Sequence, residues 1–184
     1  DLISMLGLPG FQIALVELNY YGESLAATAL DSIPVGSYSF RDIMDDDGLG
    51  NKDLPIQLEL IVSPELIIAD FQGTASQVRG NINCPLSVTA AAVYYVFRCL
   101  MPEHTPACAG IFRRLSIQAP ESCLVNARYP AAVVAGNVET SSRIVDVVLG
   151  ALYQALPDQI PAASQGSMNN IAMGSREGGQ SWDY

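Results

Sequence analysis

The stretch "IQLELIVSPELIIADF", residues 56–71, decides the fold class. Ile56, Leu58, Leu60 and Val62 alternate with polar Gln57 and Glu59, and a two-residue period sets the four apolar side chains on one face of a strand. Ser63, Pro64 and Glu65 supply a turn, and "LIIADF" returns as a second, more apolar strand. Residues 56–62 and 66–71 therefore pair as a hairpin with one wet face.

The period changes on either side of this hairpin. In 85–100, Leu86, Ala90, Val93, Phe97 and Leu100 recur at helical spacing. Pro85 sits where a first helical residue belongs, because its missing N–H would be unpaired there anyway. A second apolar stripe fills 140–156 after "GNVET", and Pro157 closes it. A third helix over 11–30 carries Ile13, Val16, Tyr20 and Ala27 and follows Pro9-Gly10. "DSIPVGSY" breaks that helix, and "RDIMDDDGLGNKDLP" reads as a polar loop. Short strands are expected at 115–117, at 132–135 and near the end of "IPAASQGSMNNIAMGS". The class is α+β: a mixed sheet with a β-hairpin and two or three packed long helices, the last two the most buried because their stripes are the most continuous.

Length and charge narrow the range of functions. The 184 residues, 1–184, are one domain or one large fragment, starting at Asp rather than Met and ending in "GGQSWDY". Nine Lys and Arg against 19 Asp and Glu give a net charge of −10, which disfavours a nucleic-acid partner or an anionic membrane surface. No run approaches the roughly 18 uninterrupted apolar residues of a membrane span. Cys84, Cys99, Cys108 and Cys123 are unevenly spaced with no C-x-x-C, and His104 is the sole histidine, so zinc would need ligands of other kinds. Cys99, inside an apolar helix pattern, reads as a small buried hydrophobe. The cysteine usage points to a reduced, cytoplasmic setting.

Chemistry has few places to sit. "DDDG", residues 45–48, fails the EF-hand spacing and reads as a turn whose carboxylates bond nearby backbone N–H groups. Neither G-x-x-x-x-G-K-[ST] nor G-x-G-x-x-G is present, so no phosphate cradle is expected. His104 follows a helix end, where it caps the last carbonyls more readily than it serves a catalytic triad. Three polar loops abut apolar elements: 70–74 beginning at Asp70, 136–140 with Asn137, Glu139 and Thr140, and 164–170 with Gln165, Asn169 and Asn170. Asn and Gln amides present a donor and an acceptor together, which suits the N–H and C=O edge of a neutral amide or imide ring. The structural alternative is equally concrete. Glu139 complements the positive end of a helix, Asn137 or Thr140 caps its free N–H groups for about 0.5–2 kcal/mol, and Gln and Asn satisfy buried backbone.

"DFQGTASQVRGNINCPLSVTAAAVYYVFRCL", "GNVETSSRIVDVVLGAL", "PAASQGSMNN" and the earlier "MDDDG" resemble the hydantoinase B / 5-oxoprolinase family. The resemblance covers nearly the whole chain, in order, and matches the C-terminal part of the B-type subunit. It implies a fragment of an ATP-dependent cyclic-amide hydrolase opening hydantoin, N-methylhydantoin or 5-oxoproline rings. The alternatives are a subunit of an ATP-dependent ketone carboxylase or a scaffold module. It further implies an A-type subunit or domain that carries ATP and Mg, and no cofactor within this stretch. The His- and Asp-rich metal segment that carboxylase members carry toward the start of this subunit is absent here. Cys108 stands where relatives usually have Asn, and Arg114 where they usually have Pro. The substrate-orienting role then falls to Asn137, Glu139, Thr140, Gln165, Asn169, Asn170 and Asp70, with no catalytic residue assigned.

Overall fold

The computed structural model describes residues 1–166, 174–177 and 180–183. Helix α1 (Leu2–Leu30) is followed by strands β1 (Gly36–Asp46), β2 (Lys52–Val62) and β3 (Ile67–Asp70), helix α2 (Leu86–Leu100), strand β4 (Leu115–Gln118) and helix α3 (Glu139–Tyr153). Strands β5 (Gly174–Glu177) and β6 (Gln180–Asp183) form a separate antiparallel pair.

The main sheet runs β1-β2-β3-β4, with antiparallel pairing of β1 to β2 and of β2 to β3 and parallel pairing of β3 to β4. It is the expected mixed sheet with the expected hairpin. Ser63 closes the turn, its N–H and hydroxyl both donating to the Leu66 carbonyl. Ile56, Leu58, Leu60 and Val62 all point into the core, as their alternation requires. The parallel partner β4 is reached through α2, the long connection that a parallel pairing needs.

One strand contradicts the sequence reading. Residues 36–46, read as a helix break and a polar loop, form β1, which runs the full length of β2 from Gly36 opposite Val62 to Asp46 opposite Lys52. Its side chains alternate, but Asp42 interrupts the inward row of Tyr38, Phe40 and Met44. No apolar period survives to be read. Residues 132–135 form no strand; a 3₁₀ turn (Ala135–Asn137) stands there, leading into α3. The buried row of α2 is Thr89, Ala92, Val93, Val96 and Phe97, so Cys99 is exposed rather than buried.

Helix α3 lies against β1, β2 and α2, and buries Ile144, Val147, Val148, Ala151 and Leu152. Each such aliphatic side chain contributes about 1.5–3 kcal/mol on leaving water, Ala less. Helix α1 is different. It breaks at Gly7, whose φ of 67° is non-helical, and resumes with Pro9 in the tolerated first turn. Only Gly22, Ala26 and Leu30 are buried; Leu6, Ile13, Val16 and Tyr20 are exposed. By length and composition alone α1 could cross a membrane, although polar residues interrupt its apolar run and kept it from reading as a span. Its second half is fixed to the body. The Asn19 side chain accepts from Gly110 N–H at 2.7 Å, and Glu23 pairs with Arg113.

The acidic loop after β1 is structural. Asp47 is buried, and its carboxylate accepts from Leu49 N–H at 2.9 Å, Asn51 N–H at 3.0 Å and the Asn51 side-chain amide at 2.6 Å. It also accepts from Gly80 N–H at 3.3 Å, tying this loop to residues 78–83. The Asn51 side-chain amide, helped by those backbone N–H groups, holds the Asp47 carboxyl below its ordinary value of 3.8. The stabilisation is therefore complete above the unfolded value and is lost as pH falls through the lower folded one. We predict that Asp47→Asn melts below wild type at neutral pH and that the gap closes in acid. A gap independent of pH would contradict this.

Candidate functional site

The start of α3 and the end of β1 form a polar cleft. Glu139 opens the helix and Arg143 follows one turn later, so the two side chains share a face. Arg143 reaches across to β1, where its Nη1 donates to Asp42 Oδ2 at 2.7 Å. Met44, Asp45 and Asp46 line the facing wall of a cavity of about 200 Å³, with Ile82 between.

Residues 164–166 close one side. The Ser164 hydroxyl lies 3.3 and 3.5 Å from the two carboxylate oxygens of Asp146, and Gly166 N–H donates to Ser164 Oγ at 3.0 Å. Gly166 has φ +75°, and a Cβ there would approach Arg143 Nη2 to 2.9 Å. Glycine is what lets this segment lie against the guanidinium. Among the described residues Arg143 Nε is buried with no acceptor, which leaves a donor for a guest oxygen.

The position of α3 is set from beneath. Thr140, fully buried, donates its hydroxyl to the Ile82 carbonyl. Asn83 supports that segment: its Oδ1 accepts from Val78 N–H at 2.8 Å, and its Nδ2 lies 2.9 Å from the carbonyls of Val78, Gly80 and Ala132. Gly136 packs so closely on this segment that a Cβ would fall on the Asn83 carbonyl oxygen. The helix is thus positioned by tertiary contacts. Neither Asn137 nor Thr140 caps it; the N-cap position is Val138, which makes no side-chain bond.

The predicted residues divide in space. Glu139 lines the cavity, and Gln165 lies in the segment that closes it. Asn137 lines a separate shallow cleft between α2 and α3, with Tyr95 and Ser141. Asp70 ends β3, where it accepts from Gln72 N–H at 2.9 Å, and it does not line the cavity of Glu139. Asn169 and Asn170 fall outside the described residues. Sequence reasoning did not find Arg143 and Asp42. The i,i+4 spacing of Glu139 and Arg143 in "ETSSR" could have found the first, whereas Asp42 lies 101 residues away from its partner.

Other expectations resolve into structural roles. Arg98, rather than His104, bonds the carbonyls after α2, those of Pro102 at 3.3 Å and Thr105 at 2.8 Å. Arg114 pairs with Asp31 at 2.7 Å, and Cys108 faces the Leu18 carbonyl beneath α1, so neither reaches the cavity. Burial pushes the Cys84 and Cys123 thiols up and leaves them unreactive.

Charge limits what the cavity accepts. Asp45, Asp46 and Glu139 line it with a single guanidinium that Asp42 already pairs, a setting that repels a triphosphate. Among the described residues, no group of three or more His, Cys, Asp or Glu side chains is placed to hold a metal ion. The residues present fit neither ATP nor its magnesium.

Fold and cleft together define an α+β module with no nucleotide cradle among its described residues. The sequence profile of the family Hydantoinase B/oxoprolinase matches residues 1–184, and the chain belongs to that family. It is 36% identical over 154 residues to a 5-oxoprolinase of Saccharomyces cerevisiae, covering 83% of this chain and 11% of that protein. It is 30% identical to a Pseudomonas sp. protein provisionally named as the B-type component of a D-/L-hydantoinase, over 100% of this chain and 33% of that one. An uncharacterised protein of Methanocaldococcus jannaschii is 43% identical over 68% of this chain and 22% of its own length. The crystal structure of an ATP-dependent caprolactamase from Pseudomonas jessenii matches 86% of this chain and 27% of its own, with TM-score 0.78 at 24% identity. An acetone carboxylase matches with TM-score 0.71 at 10% identity, over 88% of this chain and 24% of its own. At these identities the two structures show a shared fold. The chain spans a third or less of the relatives it matches.

Proposed function

We propose that this chain is part of the B-type component of an ATP-dependent cyclic-amide hydrolase and that its cleft orients the substrate. One observation carries the reading: Glu139 and Arg143, one helical turn apart, meet Asp45, Asp46 and Gly166 in a single cavity. Those residues come from "MDDDG", "GNVETSSRIVDVV" and "PAASQGSMNN", the stretches that bear the family likeness. A cyclic amide offers one N–H and one C=O on adjacent atoms. A carboxylate accepts the first and a guanidinium donates to the second, so the pair complements the amide edge.

In this reading ATP and magnesium belong to an A-type partner, which phosphorylates the carbonyl oxygen and makes the ring carbon open to water. This chain's residues hold the ring while that happens. Holding a reactant in place supplies part of the barrier reduction without covalent chemistry. Asn137 and Asp70, outside the cavity, act through the partner face or through loop structure, and Gln165, Asn169 and Asn170 belong to the closing segment. The apolar, exposed first half of α1 supports a larger assembly, because a helix hydrophobic on all sides is normally buried by other protein or by lipid. The cytoplasmic setting is part of the same proposal.

A ketone carboxylase is the second reading, favoured by the shared fold with acetone carboxylase. The full-length protein with its A-type partner and ATP should be offered 5-oxoproline, hydantoin, caprolactam, and acetone with bicarbonate. Hydrolysis of at least one cyclic amide, with no carboxylation, is expected; carboxylation alone would overturn the hydrolase reading.

A further inference from the structure

A larger cavity lies on the far side of the Asp42–Arg143 pair, between β1, α3 and residues 160–163, with a volume of about 440 Å³. Phe40, Leu149, Tyr153 and Ile160 give it apolar walls, and Asp42 and Asp146 give it two carboxylates. The carboxylates differ. Asp42 is satisfied: Oδ2 takes Arg143, and Oδ1 accepts from the Ile43 N–H at 2.8 Å. Asp146 is 6% exposed, and among the described residues its two oxygens share one hydroxyl, that of Ser164, at 3.3 and 3.5 Å. A carboxylate offers about four acceptor sites, and one buried with a single long bond is costly unless a cation or strong donor joins it. Among the described residues no Lys or Arg lines this cavity.

We propose that this cavity binds a small primary amine, its ammonium donating to Asp146 and its short alkyl or single-ring body lying against Phe40, Leu149, Tyr153 and Ile160. Volume and lining both suit such a guest, since small-molecule sites are mostly apolar with a few placed polar groups and span about 300–1,000 Å³. The net charge of the pair of carboxylates after Arg143 is counted selects a cation over a neutral molecule and rejects an anion. The site stands independently of the cleft of Glu139, which lies on the other side of Arg143.

Calorimetric titration with hexylamine, 1-hexanol and hexanoate tests this directly at neutral pH. Hexylamine is expected to bind about tenfold or more tighter than hexanol, a ratio appropriate to one charge-assisted hydrogen bond, and hexanoate not at all. Asp146→Asn, which keeps the side-chain shape, should remove that preference. Ala162→Phe, at an exposed position on the rim, should block both the amine and the alcohol while the melting temperature stays unchanged. Glu139→Gln, which alters the proposed amide cleft, should leave amine binding intact, so the two readings fail separately. Equal affinities for amine and alcohol, retention of the preference in Asp146→Asn, or no binding of hexylamine would overturn the proposal.

Discussion

Replacing Asn83 with alanine is expected to lower stability by about 3 kcal/mol or more, the largest loss anticipated for a single polar side chain here. Asn83 is fully buried and satisfies four backbone groups, at Val78 (twice), Gly80 and Ala132. Alanine strands all four away from water, and each orphaned buried group costs about 1–3 kcal/mol before relaxation. The consequences reach the cleft. Residues 78–83 hold Asp47 through Gly80 and Thr140 through Ile82, so the acidic loop of β1 and the start of α3 rest on the same support. Gly136→Ala should reproduce much of the effect by pushing its methyl into the Asn83 carbonyl. Chemical denaturation measures both, and a loss under about 1 kcal/mol for Asn83→Ala would show that water replaces the amide.

The second large effect is functional. Arg143→Ala is expected to lower kcat/KM of the assembled enzyme by about a hundredfold, the scale of removing one aligned donor from a reacting oxygen. Stability should change far less, because Arg143 is part-exposed and its ion pair with Asp42 is screened. Arg143→Lys should recover only part of the activity, since an ammonium cannot span Asp42 and a guest together as a planar fork does. Parallel losses of turnover and of melting temperature in Arg143→Ala would assign the residue to structure alone.

The hairpin and the two buried helices were legible because their periods are simple. Ile56 to Val62 alternate without interruption, and the stripe of α3 runs unbroken from Ile144 to Leu152. Strand β1 was not legible, because Asp42 occupies an inward position for the sake of Arg143 and Asp45 to Asp47 end the strand with carboxylates. Its identity depends on a partner strand and a distant helix, which no local pattern records. The start of α1 was hidden for another reason: Gly7 and Pro9 break the local rule, and the helix passes through them.

The site divides in the same way. Glu139 could be found from its place at a helix start. Asn137 and Thr140 looked like caps, but the helix is seated by Thr140 on Ile82 and by Gly136 against Asn83, contacts between segments far apart in sequence. Local chemistry predicted the residue types at this junction correctly and misjudged which way they point. The amide-shaped complement comes from Glu139 with Arg143 rather than from the Asn and Gln side chains that first suggested an amide guest.

The structure of the full-length protein with its A-type partner and a bound, slowly hydrolysed cyclic amide would test the central claim most directly. The account predicts the ring between Glu139 and Arg143, with its N–H toward the carboxylate and its carbonyl oxygen toward the guanidinium. A ring seated in the α2–α3 cleft beside Asn137, or in a site formed without these two residues, would contradict it.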